Sequence, residues 1–211
     1  MLPVESVQKI LASALENGGD LAEVYLENKE SLNLVLDDGR LEKATQGNDV
    51  GGGVRVFYGN TAAYAYTDDL TEPALLEAAR AAAAAARGSN APRTRIDLTR
   101  RHSDLTFPVQ KPFDQLSAAD KAAVLRRMDQ AARAASPHVV QVSAQYTQTS
   151  RRVWVYNSDG VWAEDDRQIV EFFGSVTAQR GDVRQTMSGG VGGQMGLELL
   201  DDRDPVAAIV E

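Results

Sequence analysis

The sequence predicts an α+β protein in which mainly antiparallel sheets are covered by helices. Three observations carry this reading. Apolar and polar residues alternate over many short stretches, as in strands with one buried face. Two Asp-Gly pairs, Asp38-Gly39 and Asp159-Gly160, sit between such stretches, and a tight type I′ hairpin turn needs residues that tolerate positive φ. Helical periodicity is confined to a few segments that do not alternate with strands in a βαβ rhythm, which argues against a doubly wound nucleotide-binding sheet.

The first helix is expected over about residues 4–17, with Val4, Val7, Ile10, Leu11, Ala14 and Leu15 on one face and Gly18-Gly19 as its stop. Residues 22–27 alternate as a strand. Residues 32–36 and 40–44 form the arms of a hairpin around Asp37-Asp38-Gly39, and residues 53–58 and 62–66 form another around Gly59-Asn60. Thr71 then caps an alanine-rich helix that runs to about Arg87 and ends at Gly88.

The same layout follows again. Ser117-Ala118-Ala119-Asp120 is a capping-box-like entry to a helix reaching about Ala135. Strands are expected at 139–146, at 152–156 leading into Asn157-Ser158-Asp159-Gly160, and at 161–164. A hairpin follows from residues 169–178 and 183–188. The two Asp-Gly turns lie 121 residues apart, and Glu42 and Glu164 follow them at almost the same distance. The chain therefore reads as an α-β-β-β-β-α unit written twice, although so common a layout also recurs by coincidence. Residues 1–88 form the first α+β unit, 89–116 a linker or crossing segment with Asn90, Pro92, Pro108 and Pro112, and 117–211 the second unit. Whether the two units share one core or form two lobes is open at this level.

The last residues read as the opening of a helix. Asp204 is an N-cap, Pro205 occupies the first helical position, and Val206, Ile209 and Val210 begin an apolar stripe. Two uncapped turns are not stable alone, so more protein is expected after Glu211, with this closing helix truncated.

Composition narrows the function. The 211 residues are 43% hydrophobic and 25% charged, as in an ordinary soluble globular protein. No run of 18 apolar residues suggests a membrane span, and Met1-Leu2-Pro3-Val4-Glu5 does not resemble a signal peptide. The absence of cysteine fits a reducing cytoplasm. A net charge of −8 argues against nucleic acid as a partner. His102 and His138 are the two histidines, 36 residues apart and in no His-x-x-x-His pair, so a complete catalytic zinc site is not expected in this chain.

Ser188-Gly189-Gly190-Val191-Gly192-Gly193-Gln194-Met195-Gly196 is the most conspicuous local feature. It fits neither the Walker nor the dinucleotide pattern. Gly189, Gly190, Gly192 and Gly193 are instead expected to form a glycine-rich edge that a substrate or another domain docks against; a phosphate cradle or a plain strand end are the alternatives. Gly51-Gly52-Gly53 suggests a bulge or a crowded backbone crossing. Arg93, Arg95, Arg100, Arg101 and His102 make a basic run, either an anion patch or a solvated linker. Glu164-Asp165-Asp166 and Asp201-Asp202 read as solvated turns rather than cation sites. Trp154, Tyr156 and Trp162 are expected to cluster across the second turn.

Taken together, several segments resemble the TldD/PmbA family, and the TldD branch more closely than PmbA. They are Gly51-Gly52-Gly53-Val54-Arg55-Val56-Phe57, Ala63-Tyr64-Ala65-Tyr66-Thr67-Asp68-Asp69-Leu70, Lys121-Ala122-Ala123-Val124-Leu125-Arg126-Arg127-Met128-Asp129, the Asn157–Gly160 turn and the Ser188–Gly193 run, in this order. The resemblance implies the N-terminal portion of a cytoplasmic zinc metallopeptidase that cleaves peptides or unfolded segments. It implies a homo- or heterodimer of family subunits. In TldD-type proteins the metal sits on a His-Glu-x-x-x-His helix with a later cysteine, and none of that motif stands in this sequence. No catalytic, cofactor or metal residue is therefore carried over. Zinc is expected in the full-length protein and not in this chain, which is expected to be inactive alone while helping to enclose substrate and to build the dimer. The alternative is a non-enzymatic peptide- or protein-binding module or a PmbA-like partner subunit.

Overall fold

A computed structural model describes residues 2–86, 96–101 and 107–210. In chain order the elements are α1 (Val4–Ala14), β1 (Leu21–Asp37), β2 (Arg40–Tyr58), β3 (Thr61–Thr67), α2 (Glu72–Ala85), β4 (Thr99–Arg101), a 3₁₀ turn (Phe113–Gln115), α3 (Ala118–Ala135), β5 (Val139–Asn157), β6 (Val161–Arg180), β7 (Val183–Gly193), α4 (Leu199–Asp202) and α5 (Pro205–Ala208). The α+β class expected from the sequence is what the protein adopts. The seven strands among the described residues form one sheet in the order β3-β2-β1-β5-β6-β4, with β7 also paired to β6. The pairing is largely antiparallel, as between β2 and β3 and between β6 and β7. β4 runs parallel to β6 with Thr99 opposite Val161, a pairing that three exposed residues gave no reason to expect.

The strands are longer than the local alternation suggests. Residues 22–27 and 32–36 belong to one strand, β1, and 40–44 and 53–58 to another, β2. The polar stretches between them, Asn28-Lys29-Glu30-Ser31 and Gln46-Gly47-Asn48-Asp49, stay extended because the sheet ladder satisfies their backbone groups. β5 and β6 absorb their predicted segments in the same way. Glu164-Asp165-Asp166 accordingly lies within β6, and Asp201 and Asp202 close α4; neither group forms a turn.

Turns and caps follow local chemistry. Asp38 and Gly39 have φ of 46° and 78°, the two positive values of a type I′ turn. The second turn differs, since only Gly160 is positive, at 93°. Asn157 Oδ1 accepts from the Asp159 and Val161 amides across a longer loop. Ser117 and Asp120 make the full reciprocal capping box on α3. Thr71 stands at the N-cap of α2 but its hydroxyl caps nothing. Asp204 Oδ1 accepts from the Val206 amide at 2.9 Å to open α5. The predicted end of α2 at Arg87-Gly88 lies outside the described residues, as do Asn90, Pro92, Arg93, Arg95 and His102.

The chain divides into two compact units, each assembled from several segments: residues 1–29, 49–105 and 151–166, and residues 30–48, 106–150 and 167–211. In the first, α1 and α2 cover a core of Val7, Ile10, Leu11 and Leu15 with Val24, Leu26, Val54, Val56, Leu75 and Ala79. Gly52 is required there, because a Cβ would stand 2.8 Å from Leu26 and 2.9 Å from Leu75. Trp154 and Tyr156 are buried in the same core, and Trp162 packs on Tyr156 at 5.9 Å between ring centroids. In the second unit, Leu125 and Met128 of α3 pack against Leu34, Leu36, Ala144, Tyr146, Val170 and Phe172.

Candidate functional site

The second unit holds an open pocket of about 460 Å³ beside the N-terminus of α3. Its position begins with the capping box, which fixes where the helix starts. Lys121 then falls in register with Leu125 and Met128, at i, i+4 and i+7, so its side chain enters the core-facing stripe rather than solvent. Only 3% of Lys121 is exposed.

A buried ammonium needs acceptors. Lys121 Nζ donates to the Phe113 carbonyl and to Gln148 Oε1, both at 2.7 Å. It also lies 5.6 Å from the centre of the Tyr146 ring, whose hydroxyl donates to the same Gln148 oxygen at 2.8 Å. Burial pushes the Lys121 ammonium below its usual pKa, opposed by the nearby Asp114 carboxylate, and pushes the Tyr146 phenol up. Gln148 and Ser150 come from β5, Gln168 from β6, and Ser31 and Gln46 from β1 and β2. Gln168 Oε1 is buried and accepts no hydrogen bond among the described residues.

The segment before α3 forms the remaining wall, and Glu198 holds it. This buried carboxylate accepts from the Lys111 and Gly196 amides, each at 2.9 Å, while the Leu197 amide donates to the Lys111 carbonyl at 2.7 Å. Burial works against the charged form of Glu198, but the amides of Gly196, Lys111, Glu198 itself and Gln110 outweigh it and keep the carboxyl below its usual pKa. A Cβ at Gly196 would collide with the Lys111 carbonyl, so that glycine is part of the clamp.

The glycine run expected to meet a substrate or another domain lies in β7, and none of its four candidates lines the Lys121 pocket. Gly189 faces Gly174 across the ladder, and a Cβ there would strike the Ala208 carbonyl of α5. Gly190 stands opposite Phe173, Gly192 opposite Glu171 and Gly193 opposite Val170. Arg203 donates to the Gly192 carbonyl at 2.8 Å. Of the basic run, Arg100 pairs with Glu164 at 2.9 Å and covers the Trp162 ring, and Arg101 lies in β4. Asp166 pairs with Arg152 and Asp201 with Lys111. His138 is exposed just before β5. Sequence reasoning missed Lys121, Gln148, Gln168 and Glu198. The one legible signal was a lysine in phase with the apolar stripe of α3.

The arrangement offers hydrogen-bond donors and acceptors around one ammonium, which suits binding rather than bond making. Among the described residues no group of three His, Cys, Asp or Glu side chains could hold a metal ion.

By backbone, the chain shares its fold with solved proteins of low identity. A candidate modulator of a DNA gyrase from Thermotoga maritima superposes over 98% of this chain and 46% of its own, with a TM-score of 0.75 and 17% identity. TldE from Thermococcus kodakarensis matches over 97% and 46%, with a TM-score of 0.69 and 13% identity. Sequence profiles then place it. PmbA/TldA metallopeptidase domain 1 matches residues 22–86, and the PmbA/TldA metallopeptidase central domain matches residues 111–211. The chain belongs to the PmbA/TldD family and corresponds to an N-terminal portion of it. Curated relatives are a metalloprotease TldD homolog of Haemophilus influenzae, 27% identical over 85% of this chain, and one of Buchnera aphidicola subsp. Schizaphis graminum, 26% identical over 81%. The chain spans about 37% and 35% of their respective lengths.

Proposed function

We propose that this chain is the non-catalytic N-terminal region of a TldD-like zinc metallopeptidase that acts on peptides or unfolded segments. The observation that carries the reading is the consecutive match to domain 1 and the central domain, in a chain that spans little more than a third of relatives named metalloproteases. In this reading the zinc ligands belong to the remainder of the parent protein. Residues of this chain help to enclose the peptide and to build a homo- or heterodimer with another TldD/PmbA subunit. Gly189, Gly190, Gly192 and Gly193 are the proposed contact with substrate or a neighbouring domain. The protein is cytoplasmic and engages neither nucleic acid nor membrane, in line with its charge of −8 and with the lack, among the described residues, of a helix long and apolar enough to cross a bilayer.

The test is to purify the 211-residue chain, measure bound zinc, and assay cleavage of an unfolded polypeptide with and without chelator. Neither stoichiometric zinc nor cleavage is expected, and a chain extended by the rest of its parent should show both. Chelator-sensitive cleavage by the 211 residues alone would overturn the proposal.

One feature favours a second reading, that of a non-enzymatic peptide-binding module or PmbA-like partner subunit. β7 pairs only with β6 among the described residues and carries Met187 77% exposed, so an extended segment could add to its edge. A parent protein without the zinc motif would favour this reading over the first.

A further inference from the structure

The sheet begins with β3, so one side of that strand has no neighbouring strand among the described residues. The loop joining it to β2 is Gly59-Asn60, between the paired Tyr58 and Thr61. In a hairpin with so short a loop the flanking pair exchanges both backbone bonds, and bonded pairs recur at every second residue. Thr61, Ala63, Ala65 and Thr67 therefore bond to β2, while the N–H and C=O groups of Ala62, Tyr64 and Tyr66 point outward. Nothing in the strand guards this edge. Thr61–Thr67 holds no charge and no proline, and its register with β2 has no bulge, the devices that normally blunt an open edge. The β7 edge differs, since Arg184 charges it and Arg203 occupies the Gly192 carbonyl.

The side chains add to this. Ala63 is buried, whereas Tyr64 and Tyr66 are 57% and 79% exposed on the opposite face, their rings stacked 6.3 Å apart. Tyr64 lies across Gly53, where a Cβ would strike its ring, and the Arg55 guanidinium sits 5.7 Å from the ring centre.

We infer that β3 is a self-association edge, which pairs antiparallel with β3 of a second copy about a two-fold axis at Tyr64. This rests on the dimer of the reading above and assigns it a surface. In that register Tyr64 meets its own counterpart and each Tyr66 meets an Ala62, and each of these pairs exchanges both of its outward backbone bonds. On the other face Ala63 meets Ala65 and Thr61 meets Thr67. The strand is thus complementary to itself: no like charges meet about the axis, and the large Tyr66 falls against a small residue. An isologous contact demands that self-complementarity, which points to a second copy rather than to an unrelated strand.

The test is sedimentation equilibrium of the 211-residue chain over low to high micromolar concentrations, beside Tyr64→Lys, Tyr64→Glu and their equimolar mixture. The native chain should dimerise. Each variant alone should associate at least about tenfold more weakly, because like charges then face each other on the axis, and the mixture should recover that loss as a mixed dimer. Tyr64 is exposed, so both variants should keep the native circular dichroism spectrum. A native chain that stays monomeric, variants that dimerise as the native chain does, or a mixture that stays monomeric would each overturn the inference. Undiminished dimers in both variants would leave the dimer of the peptidase reading to another surface, and the zinc and cleavage assays judge that reading independently.

Discussion

The two units close their cores differently. In the first, α1 and α2 lay an almost wholly apolar surface over the strands, and α2 contributes Ala78, Ala79, Ala82 and Ala83, small enough to fit close to the sheet. In the second, α3 carries Lys121 and Asp129 on its buried side among Ala122, Leu125, Met128 and Ala132. Asp129 pairs with Arg133 at 3.1 Å, and Arg133 reaches Asp38 in the first hairpin turn at 2.6 Å. Lys121 draws Phe113, Gln148 and Tyr146 around it. A buried charge needs polar neighbours, and these line the pocket beside α3.

Leu75→Ala in the first unit and Leu125→Ala in the second each delete a fully buried side chain, and each should cost about 3 kcal/mol in urea unfolding. If the units are equally well packed, the two losses will match. A much smaller loss at Leu125 would show that the polar unit relaxes around cavities.

Glu198→Gln should cost about 2 kcal/mol, because a charged acceptor for backbone amides is replaced by a neutral one. Its pH dependence follows from the lowered pKa. The carboxylate stabilises the fold above the ordinary carboxyl range, and this stability is lost as pH falls through the still lower folded pKa. Acid titration of unfolding should show that loss in the native chain and not in Glu198→Gln.

Lys121 has a linkage of the same sign in an alkaline window. Its folded pKa is lowered, so between that value and the ordinary lysine range the unfolded chain holds more protons than the folded one. Stability should therefore gain an upward contribution as pH climbs through that window, and Lys121→Met should abolish it.

The smallest effects separate the helix caps. Ser117→Ala removes a side chain that caps α3 and should cost about 1 kcal/mol, whereas Thr71→Ala removes a hydroxyl that caps nothing and should cost at most a few tenths. Chemical denaturation of the two variants checks both, and equal losses would contradict the capping assignment.

Local features were readable where their cause is local. The Asp38-Gly39 turn, the Ser117–Asp120 box and the Asp204 cap each depend on residues within a few positions of one another. The length of β1 and β2 was not readable, because their polar middles are held extended by neighbouring strands rather than by their own alternation. The parallel pairing of Thr99–Arg101 was hidden for the same reason. The glycine run was legible as an unusual segment, but the contacts that require its individual glycines were not. Gly189 answers to the Ala208 carbonyl and Gly196 to the Lys111 carbonyl, both supplied by other segments.

By itself, then, the sequence determined the kinds of element, most of their turns and caps, and the order of motifs that marks the PmbA/TldD family. Only the tertiary structure decided which polar residues would be buried and what they would face. Lys121 meets its glutamine across 27 positions, and Glu198 meets the Lys111 amide across 87. Periodicity reports which face of an element turns inward, but hydrogen-bond partners that distant are chosen only when the chain has folded.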